Sequence, residues 1–290
     1  MDEMNTKQRT IKSEVTISGI GLHTGKSVTL TLRPAPENHW FKFRRVDIEG
    51  QPIVSVDADN VTDTSRGTTI SENGASVSTI EHLMAALIGL QVDNVQIDLD
   101  GPEVPILDGS SSVFIEKLTE VGFIDQDADR DFYEIKENIH YSEPDRKVEI
   151  VGMPLDGYRL TCMIDFNSPV LGSQHASIST IDEFEKEISS SRTFCFLHEL
   201  EALVNNNLIK GGDLNNAIVY VDKEISPKTM ENLKVAFGKD NISVKPNGIL
   251  DNLTLHYPNE AARHKLLDVI GDLALVGTKI KGKVIANKPG

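Results

Sequence analysis

The sequence lacks the features that mark several large classes of protein. Only two of its 290 residues are cysteines, Cys162 and Cys195. They form neither a CxxC pair nor a disulfide framework, so we expect a reducing, cytoplasmic environment. No run of about 18 apolar residues occurs, so we expect no transmembrane segment. The first residues also lack the apolar stretch of a secretory signal.

Positive charge is scarce as well. The chain has 44 Asp and Glu against 29 Lys and Arg, which gives a formal charge of −15. This balance argues against nucleic acid as a partner, because nucleic-acid binding needs a basic surface. A few local Lys or Arg residues could still line a pocket for an anionic small molecule. Walker A, G-x-S-x-G and H-E-x-x-H motifs are absent, which removes the commonest nucleotide-binding, serine-hydrolase and zincin interpretations.

The hydrophobic pattern predicts two similar halves. The composition is that of a globular protein, with 39% hydrophobic and 25% charged residues, and the length suits two domains of about 130–150 residues. In each half a series of strands is followed by helices, and an acidic segment at 125–131 between the halves is predicted to be a linker. The residues themselves show no clear repeat. The predicted helices lie at 78–87, 110–121, 181–190, 198–206 and 259–276.

The helix at 259–276 carries a possible metal-binding pair. His264 and Asp268 are four residues apart and therefore lie on one face, where both side chains can reach a single ion. Asp272 follows one turn later. Taken alone, however, this stripe fits a solvated charged face better.

A second histidine with a neighbouring acid occurs in the first half, at Glu81 and His82. Two histidines and one aspartate around one ion would form an open metal site, and the remaining acid could take a proton from water. Alternatively, Ser78 and Glu81 fit a capping box, in which Glu81 bonds the backbone of Ser78. His82 would then be an ordinary core histidine. Glu81 can serve as a base only if it gives up the capping bond.

Two further segments allow alternative interpretations. Ser191, Arg192 and Thr193 would either cap a following helix or provide a hydroxyl that stabilises an oxyanion. The pair Gly211-Gly212 would form a turn or allow close approach of a ligand to the backbone.

Five segments together carry a resemblance to a known family: 19–25 (Gly-Ile-Gly-Leu-His-Thr-Gly), 79–83 (Thr-Ile-Glu-His-Leu), 102–110 (Pro-Glu-Val-Pro-Ile-Leu-Asp-Gly-Ser), 191–194 (Ser-Arg-Thr-Phe) and 263–268 (Arg-His-Lys-Leu-Leu-Asp). Over about residues 7–290 the chain resembles the bacterial UDP-3-O-acyl-N-acetylglucosamine deacetylase family. The resemblance implies an α+β fold of two similar two-layer domains, each a sheet packed on helices, at 7–126 and 131–290, with the active site between them. It also implies zinc-dependent hydrolysis of an N-acetyl group with release of acetate, the committed step of lipid A biosynthesis.

The same resemblance implies roles for individual residues. The metal, zinc or iron(II), would be bound by His82, His264 and Asp268. Glu81 would be the general base, and Thr193 would stabilise the oxyanion. The resemblance also implies that Asp272 orients a histidine that follows the Lys-x-Gly at 288–290. Lys265 and Lys288 would contact the anionic part of the UDP-linked substrate. The acyl passage, with an insert at about 194–222, would be lined by Leu22, Phe194, Leu208, Gly212 and Ala217.

Two departures from the family pattern stand out. Gly67 occupies a position where many members carry a cysteine near the metal. A longer connection at about 222–250, together with residues 210–216, is similar to the branch fused to a hydroxyacyl-carrier-protein dehydratase, so we expect such a domain C-terminal to Gly290. The rival hypotheses are a non-catalytic lipid- or nucleotide-binding protein and a zinc amidohydrolase acting on another sugar.

Overall fold

Two sheets with the same strand order form the framework of the protein. The computed structural model describes residues 6–199, 216–223, 225, 230–231, 234 and 242–289. The strands of the first half are β1 (Lys7–Ile11), β2 (Val15–Ile20), β3 (Ser27–Pro34), β4 (Phe41–Arg45), β5 (Ile53–Ser55), β6 (Val61–Asp63), β7 (Thr69–Glu72), β8 (Ala75–Val77), β9 (Val95–Leu99) and β10 (Phe123–Asp129). Its helices are α1 (Glu81–Gly89) and α2 (Ser112–Val121).

The second half uses the same kinds of element. Its strands are β11 (Phe132–Glu134), β12 (Ile139–Glu143), β13 (Val148–Met153), β14 (Tyr158–Asp165), β15 (Ser173–Ile178), β16 (Phe194–Phe196), β17 (Ile218–Tyr220) and β18 (Lys279–Asn287). Its helices are α3 (Phe184–Glu187) and α4 (Glu260–Asp272), and α4 continues into a 3-10 turn at Leu273–Val276.

The main sheets of the two halves repeat one connectivity. The first has the order β2-β3-β9-β4-β5 and the second β12-β13-β18-β14-β15, with β11 added beside β18. In each, the central strand is antiparallel to one neighbour and parallel to the other. That central strand follows a long helix, α1 before β9 and α4 before β18. The predicted α+β class is therefore confirmed, and the halves repeat in topology although no sequence repeat is visible.

The two long helices pack against each other. All residues of α1 except Gly89 are buried, as expected for a helix that is apolar around most of its circumference. Helix α4 contacts α1 on one side and β14 and β15 on another. Trp40 Nε1 donates to the carbonyl of Ala274 at 3.2 Å and ties the first half to the end of α4. The start of α1 lies against the end of α4, where Gly271 approaches the backbone of Glu81.

Several elements differ from the sequence prediction. The acidic segment predicted as a linker is largely strand β10, which pairs with β1. Its carboxylates meet basic residues of β1, as in the pairs Lys7–Asp129 and Arg9–Asp125, so acidity here marks a charged strand rather than a linker. The domain limits remain a prediction. The helix predicted at 181–190 is reduced to a 3-10 turn and α3.

Part of the prediction falls outside the described residues. This applies to most of the helix at 198–206, to Gly211-Gly212 and to much of the connection at 222–250. Within the described ranges, no helix has the length and apolar character needed to cross a membrane.

Candidate metal centre and its cleft

Helices α1 and α4 bring together the three predicted metal ligands. One ligand atom each of His82, His264 and Asp268 lies within 4.8 Å of the others. The Oδ1 atom of Asp268 is 3.6 Å from His82 Nε2 and 3.4 Å from His264 Nε2. The imidazole rings meet edge to face, with their centroids 5.0 Å apart. Side chains from opposite halves of the chain thus converge on one point.

The donor set fits a metal ion. His264 Nδ1 lies 3.0 Å from the carbonyl of Ser191, an arrangement that leaves Nε2 available as a ligand. Asp268 Oδ1 is buried and has no hydrogen-bond donor among the described residues. A buried acceptor without a donor is costly unless another group, such as a cation, satisfies it. Two imidazole nitrogens and one carboxylate oxygen suit zinc, which keeps an open position in catalytic sites.

Burial shows that a solvated charged face is the wrong interpretation for His264 and Asp268. His264 is only 2% exposed, and burial lowers its pKa to about 4, which favours the neutral imidazole that binds metals. Burial alone would raise the pKa of Asp268, but its interactions with His264, Lys265 and His82 outweigh burial and hold that pKa well below its usual range. The cluster is therefore a polar site inside the protein.

The structure also decides between the two interpretations of Glu81. Helix α1 begins at Glu81, and its N-cap residue Ile80 has no side-chain capping bond. The hydroxyl of Ser78 donates to the carbonyl of Pro102 at 3.2 Å, while Glu81 Oε2 accepts from the backbone N–H of Thr68 at 3.1 Å. The capping-box prediction is therefore wrong, and the Glu81 carboxylate faces the metal site. Burial raises the pKa of Glu81.

Asp272 lies one turn beyond Asp268 on α4, and it lines the same cleft as Asp268 and Glu81. Its Oδ1 accepts from the hydroxyl of Thr68 at 2.6 Å. Partial removal of solvent, reinforced by the negative charge of Glu81, raises the pKa of Asp272. Sequence reasoning missed Thr68, because its side-chain partner is 204 residues away and a threonine in a polar stretch carries no signal of its own.

A cleft of ≈ 1040 Å³, open to solvent, leads to these groups. Lys265 lies on its wall with its ammonium 3.2 Å from Asp268 Oδ2; burial would lower the Lys265 pKa, but the Asp268 charge raises it. The other residues lining the cleft are Val61, Thr64, Gly67, Thr68, Glu81, Tyr141, Glu143, Arg146, Val148, Ile150, Asp268, Val269, Asp272, Leu275 and Pro289. Sequence reasoning did not single out Arg146, a cation that follows the exposed strand β12 and lines the cleft.

Thr193 and Phe194 follow Ser191, whose carbonyl lies 3.0 Å from His264 Nδ1. Thr193 donates its backbone N–H to Gly109 at 2.8 Å and accepts from the N–H of Ile218 at 2.8 Å. The following residues form strand β16, so the helix-capping alternative for Ser191 and Thr193 is wrong. The ring of Phe194 is 6.3 Å from the His264 ring. It also belongs to an aromatic group with Phe166, Phe196 and Tyr220.

The remaining predicted substrate residues are distributed more widely. Leu22 is half-buried in the turn between β2 and β3. The buried carboxylate of Glu103 fixes this turn by accepting from the backbone N–H groups of His23 and Thr24. It also accepts from the hydroxyl of Thr79, just before α1. Ala217 precedes β17, and Lys288 is paired with Asp165 at 3.0 Å. Leu208 and Gly212 lie outside the described residues.

Comparison with known proteins agrees with the geometry. The family model for UDP-3-O-acyl N-acetylglycosamine deacetylase matches residues 8–236 and 232–290. The Bifunctional enzyme LpxC/FabZ of Chlorobaculum tepidum is 47% identical over 286 residues, which are 98% of this chain and 61% of that protein. The UDP-3-O-acyl-N-acetylglucosamine deacetylase of Bdellovibrio bacteriovorus is 39% identical, and the match covers 98% of this chain and 85% of that protein.

The bifunctional relative of Bacteroides thetaiotaomicron is 44% identical over 98% of this chain and 62% of its own length. The chain therefore spans about three fifths of the length of the bifunctional relatives that it matches. The family match extends over nearly all of its residues and includes His82, His264 and Asp268. The chain belongs to the UDP-3-O-acyl N-acetylglycosamine deacetylase family.

Proposed function

We propose that this chain hydrolyses the N-acetyl group of UDP-3-O-acyl-N-acetylglucosamine and releases acetate, a step of lipid A biosynthesis. One zinc ion would be bound by His82, His264 and Asp268. The observation that carries the proposal is the position of Glu81, whose carboxylate faces the cleft directly beside the ligand His82 instead of capping its own helix. A buried acid next to an open metal site is the arrangement that hydrolysis of an amide by water requires.

Glu81, Thr193 and the bound metal would each contribute one part of the amide hydrolysis. When bound, zinc supplies Lewis-acid chemistry, because it polarises a carbonyl and lowers the pKa of water to roughly 7. Glu81 takes the proton from the attacking water, and burial, which raises the pKa of Glu81, makes it a stronger base. The hydroxyl of Thr193 donates to the oxyanion of the tetrahedral intermediate.

Asp272 has a supporting role in this proposal. The departing amine needs a proton, and the family resemblance assigns that proton to a histidine following residues 288–290. Asp272 would orient this histidine while its other contact, to Thr68, stays in place. We also propose that the chain is the N-terminal part of a bifunctional protein with a dehydratase domain, since the bifunctional relatives extend well beyond the matched region.

The surroundings of the site suit a large, anionic and lipidated sugar nucleotide. Lys265 and Arg146 on the cleft wall provide positive charge for the diphosphate, and Lys288 would add to it by exchanging Asp165 for the substrate. Phe194 and the aromatic residues behind it provide an apolar wall for the acyl chain. Leu22 and Ala217, together with Leu208 and Gly212, remain predicted members of this passage.

The proposal is tested by measuring acetate release from the acylated substrate with the zinc-loaded full-length protein. We expect turnover that stops when the metal is removed by a chelator and returns when zinc is added. His82→Ala and His264→Ala should lose both the metal and the activity, whereas His175→Ala, at an exposed position of β15, should keep both. Full metal retention in both ligand variants would rule out this site, and metal analysis would also distinguish zinc from iron(II).

Two rival hypotheses are separated in the same assay. A non-catalytic binding protein would bind the substrate without releasing acetate. An amidohydrolase for another sugar would act equally well on UDP-N-acetylglucosamine that lacks the 3-O-acyl chain. We expect the acylated substrate to be strongly preferred.

A further inference from the structure

Thr68 joins the two acids of the cleft by separate bonds. Its backbone N–H donates to Glu81 Oε2 at 3.1 Å, and its hydroxyl donates to Asp272 Oδ1 at 2.6 Å. Glu81 stands at the start of α1, and Asp272 at the end of α4. Thr68 is itself only 6% exposed. One residue thus fixes carboxyl groups that come from the two halves of the chain.

Neighbouring strands and the backbone before α1 hold Thr68 in place. It immediately precedes β7, which pairs with both β6 and β8, and its carbonyl lies 3.5 Å from the N–H of Ile80 just before α1. The chain also passes unusually close to Glu81, since a Cβ atom on Gly67 would come within 2.8 Å of Glu81 Oε1. Thr68 therefore approaches the acids as part of a fixed hairpin.

Only one of the two hydrogen bonds, the one to Asp272, depends on the side chain of Thr68. A hydroxyl has a single hydrogen to donate, and here Asp272 receives it. The bond to Glu81 comes from the backbone and would survive any substitution that preserves the fold. Replacing the threonine by the isosteric valine therefore removes only the bond to Asp272. This separation makes the contribution of the hydroxyl measurable.

We propose that Thr68 is a positioning residue that holds Asp272 through its hydroxyl and Glu81 through its backbone, so that both acids point into the cleft. The inference rests on the proposed function. Thr68 acts through Asp272 and not on the substrate. The hydroxyl fixes the direction of a carboxyl group that would otherwise rotate freely at the open end of the cleft.

The main test compares Thr68→Val, Thr68→Ser and Thr69→Val in the zinc-loaded full-length protein. Thr69, the first residue of β7, is adjacent to Thr68 and serves as the matched control. We expect Thr68→Val to lower kcat roughly 10-fold, the scale of one hydrogen bond to a charged group, with KM changed less than about twofold. Thr68→Ser should restore most of the activity, and Thr69→Val should behave like the wild type. Wild-type activity in Thr68→Val would overturn the proposal.

A double-mutant cycle distinguishes positioning from a general structural effect. If Thr68 acts through Asp272, adding Thr68→Val to Asp272→Ala should reduce kcat no further. Metal affinity, measured by competition with a chromophoric chelator, should be the same in Thr68→Val and the wild type, because the hydroxyl bonds none of the metal ligands. An equal further loss in the Asp272→Ala background, or loss of metal together with activity, would assign Thr68 a merely structural role.

A readout without turnover keeps the two proposals apart. The Asp272 carboxyl carbon can be followed by ¹³C NMR, with its resonance assigned through Asp272→Asn. We expect Thr68→Val to shift this resonance and Thr68→Ser to restore it, and an unchanged resonance would contradict the positioning role even if the protein proved inactive. Absence of acetate release from the wild type would instead contradict the proposed function.

Discussion

Gly271 of α4 lies directly against the backbone carbonyl of Glu81 at the start of α1. A Cβ atom on Gly271 would overlap the carbonyl oxygen and come within 2.8 Å of the carbonyl carbon. The obstacle is backbone, which cannot turn aside as a side chain can. The absence of a side chain at this position therefore sets how closely the two helices approach, and with it the separation of His82 from His264 and Asp268.

We therefore expect Gly271→Ala to push α1 and α4 apart. The free energy of unfolding should fall by about 1–3 kcal/mol, the usual cost of overpacking, and metal affinity should fall with it. Urea unfolding and chelator competition measure the two effects. Gly101→Ala is a suitable control, because its new Cβ would meet only the side chain of Val28, at 3.1 Å. Wild-type metal affinity in Gly271→Ala would contradict this account of the helix contact.

Replacing Glu81 by glutamine should separate catalysis from metal binding. The amide has nearly the same shape but cannot accept a proton, so kcat should fall by about 10²–10⁴-fold. Metal content should remain that of the wild type, since Glu81 is not among the three clustered ligands. The exposed Glu116→Gln on α2 is the matched control for removal of an acid. Near-normal turnover in Glu81→Gln would exclude Glu81 as the general base.

Local patterns in the sequence were enough for much of the fold. Residues of β18 alternate between half-buried and buried along its whole length, and this period of two is visible in the sequence as a strand. The i, i+4 spacing of His264 and Asp268 likewise placed both on one helix face. Whether that face was solvated or buried depended on α1, which packs against it. Spacing within one helix cannot supply that information.

The errors have a common physical origin. Ser78 and Glu81 satisfy the capping-box pattern, yet each finds a better partner far away in sequence, Pro102 and Thr68. The acidic residues of β10 suggest a linker only until β1 supplies basic partners. In these cases a tertiary contact overrode a valid local preference, and the contact could not be read from either segment alone.

The buried pair of Arg192 and Glu260 should be a major determinant of stability near the site. Glu260 is 0% exposed and accepts from Arg192 Nε at 2.8 Å and from the backbone N–H of His256. Glu260→Ala would leave the Arg192 charge buried without its partner, which typically costs about 3–5 kcal/mol. It would also loosen the segment that contains Thr193.

Urea unfolding of Glu260→Ala and Glu260→Gln tests this expectation. The Glu260→Gln side chain can still form hydrogen bonds, so this variant should lose less free energy of unfolding than Glu260→Ala. Glu120→Gln breaks the exposed pair between Lys117 and Glu120 on α2, and such surface pairs are worth about 0–1 kcal/mol. A similar small effect for Glu260→Ala would show that the buried pair does not hold this region together.

Lys279 should make stability depend on pH in the alkaline range. Its ammonium donates to the carbonyl of Val92 at 2.9 Å and lies 3.4 Å from Asp93, but burial lowers the Lys279 pKa to about 8. An unfolded lysine has a pKa of about 10.4. Between these values the unfolded chain binds more protons than the folded one, so the free energy of unfolding contributed by Lys279 rises with pH. The penalty for the buried charge is fully present below pH 8.

This contribution can be isolated by comparing the wild type with Lys279→Met, which keeps the aliphatic part of the side chain. Urea unfolding at pH 7.5, 8.5 and 9.5 should show the wild type gaining stability relative to the variant, by roughly 1–2 kcal/mol over this window. The comparison cancels the titration of other groups, and Lys283→Met on the same strand controls for the loss of a lysine side chain. A difference that stays flat or falls with rising pH would mean that the Lys279 ammonium is not destabilised by its surroundings.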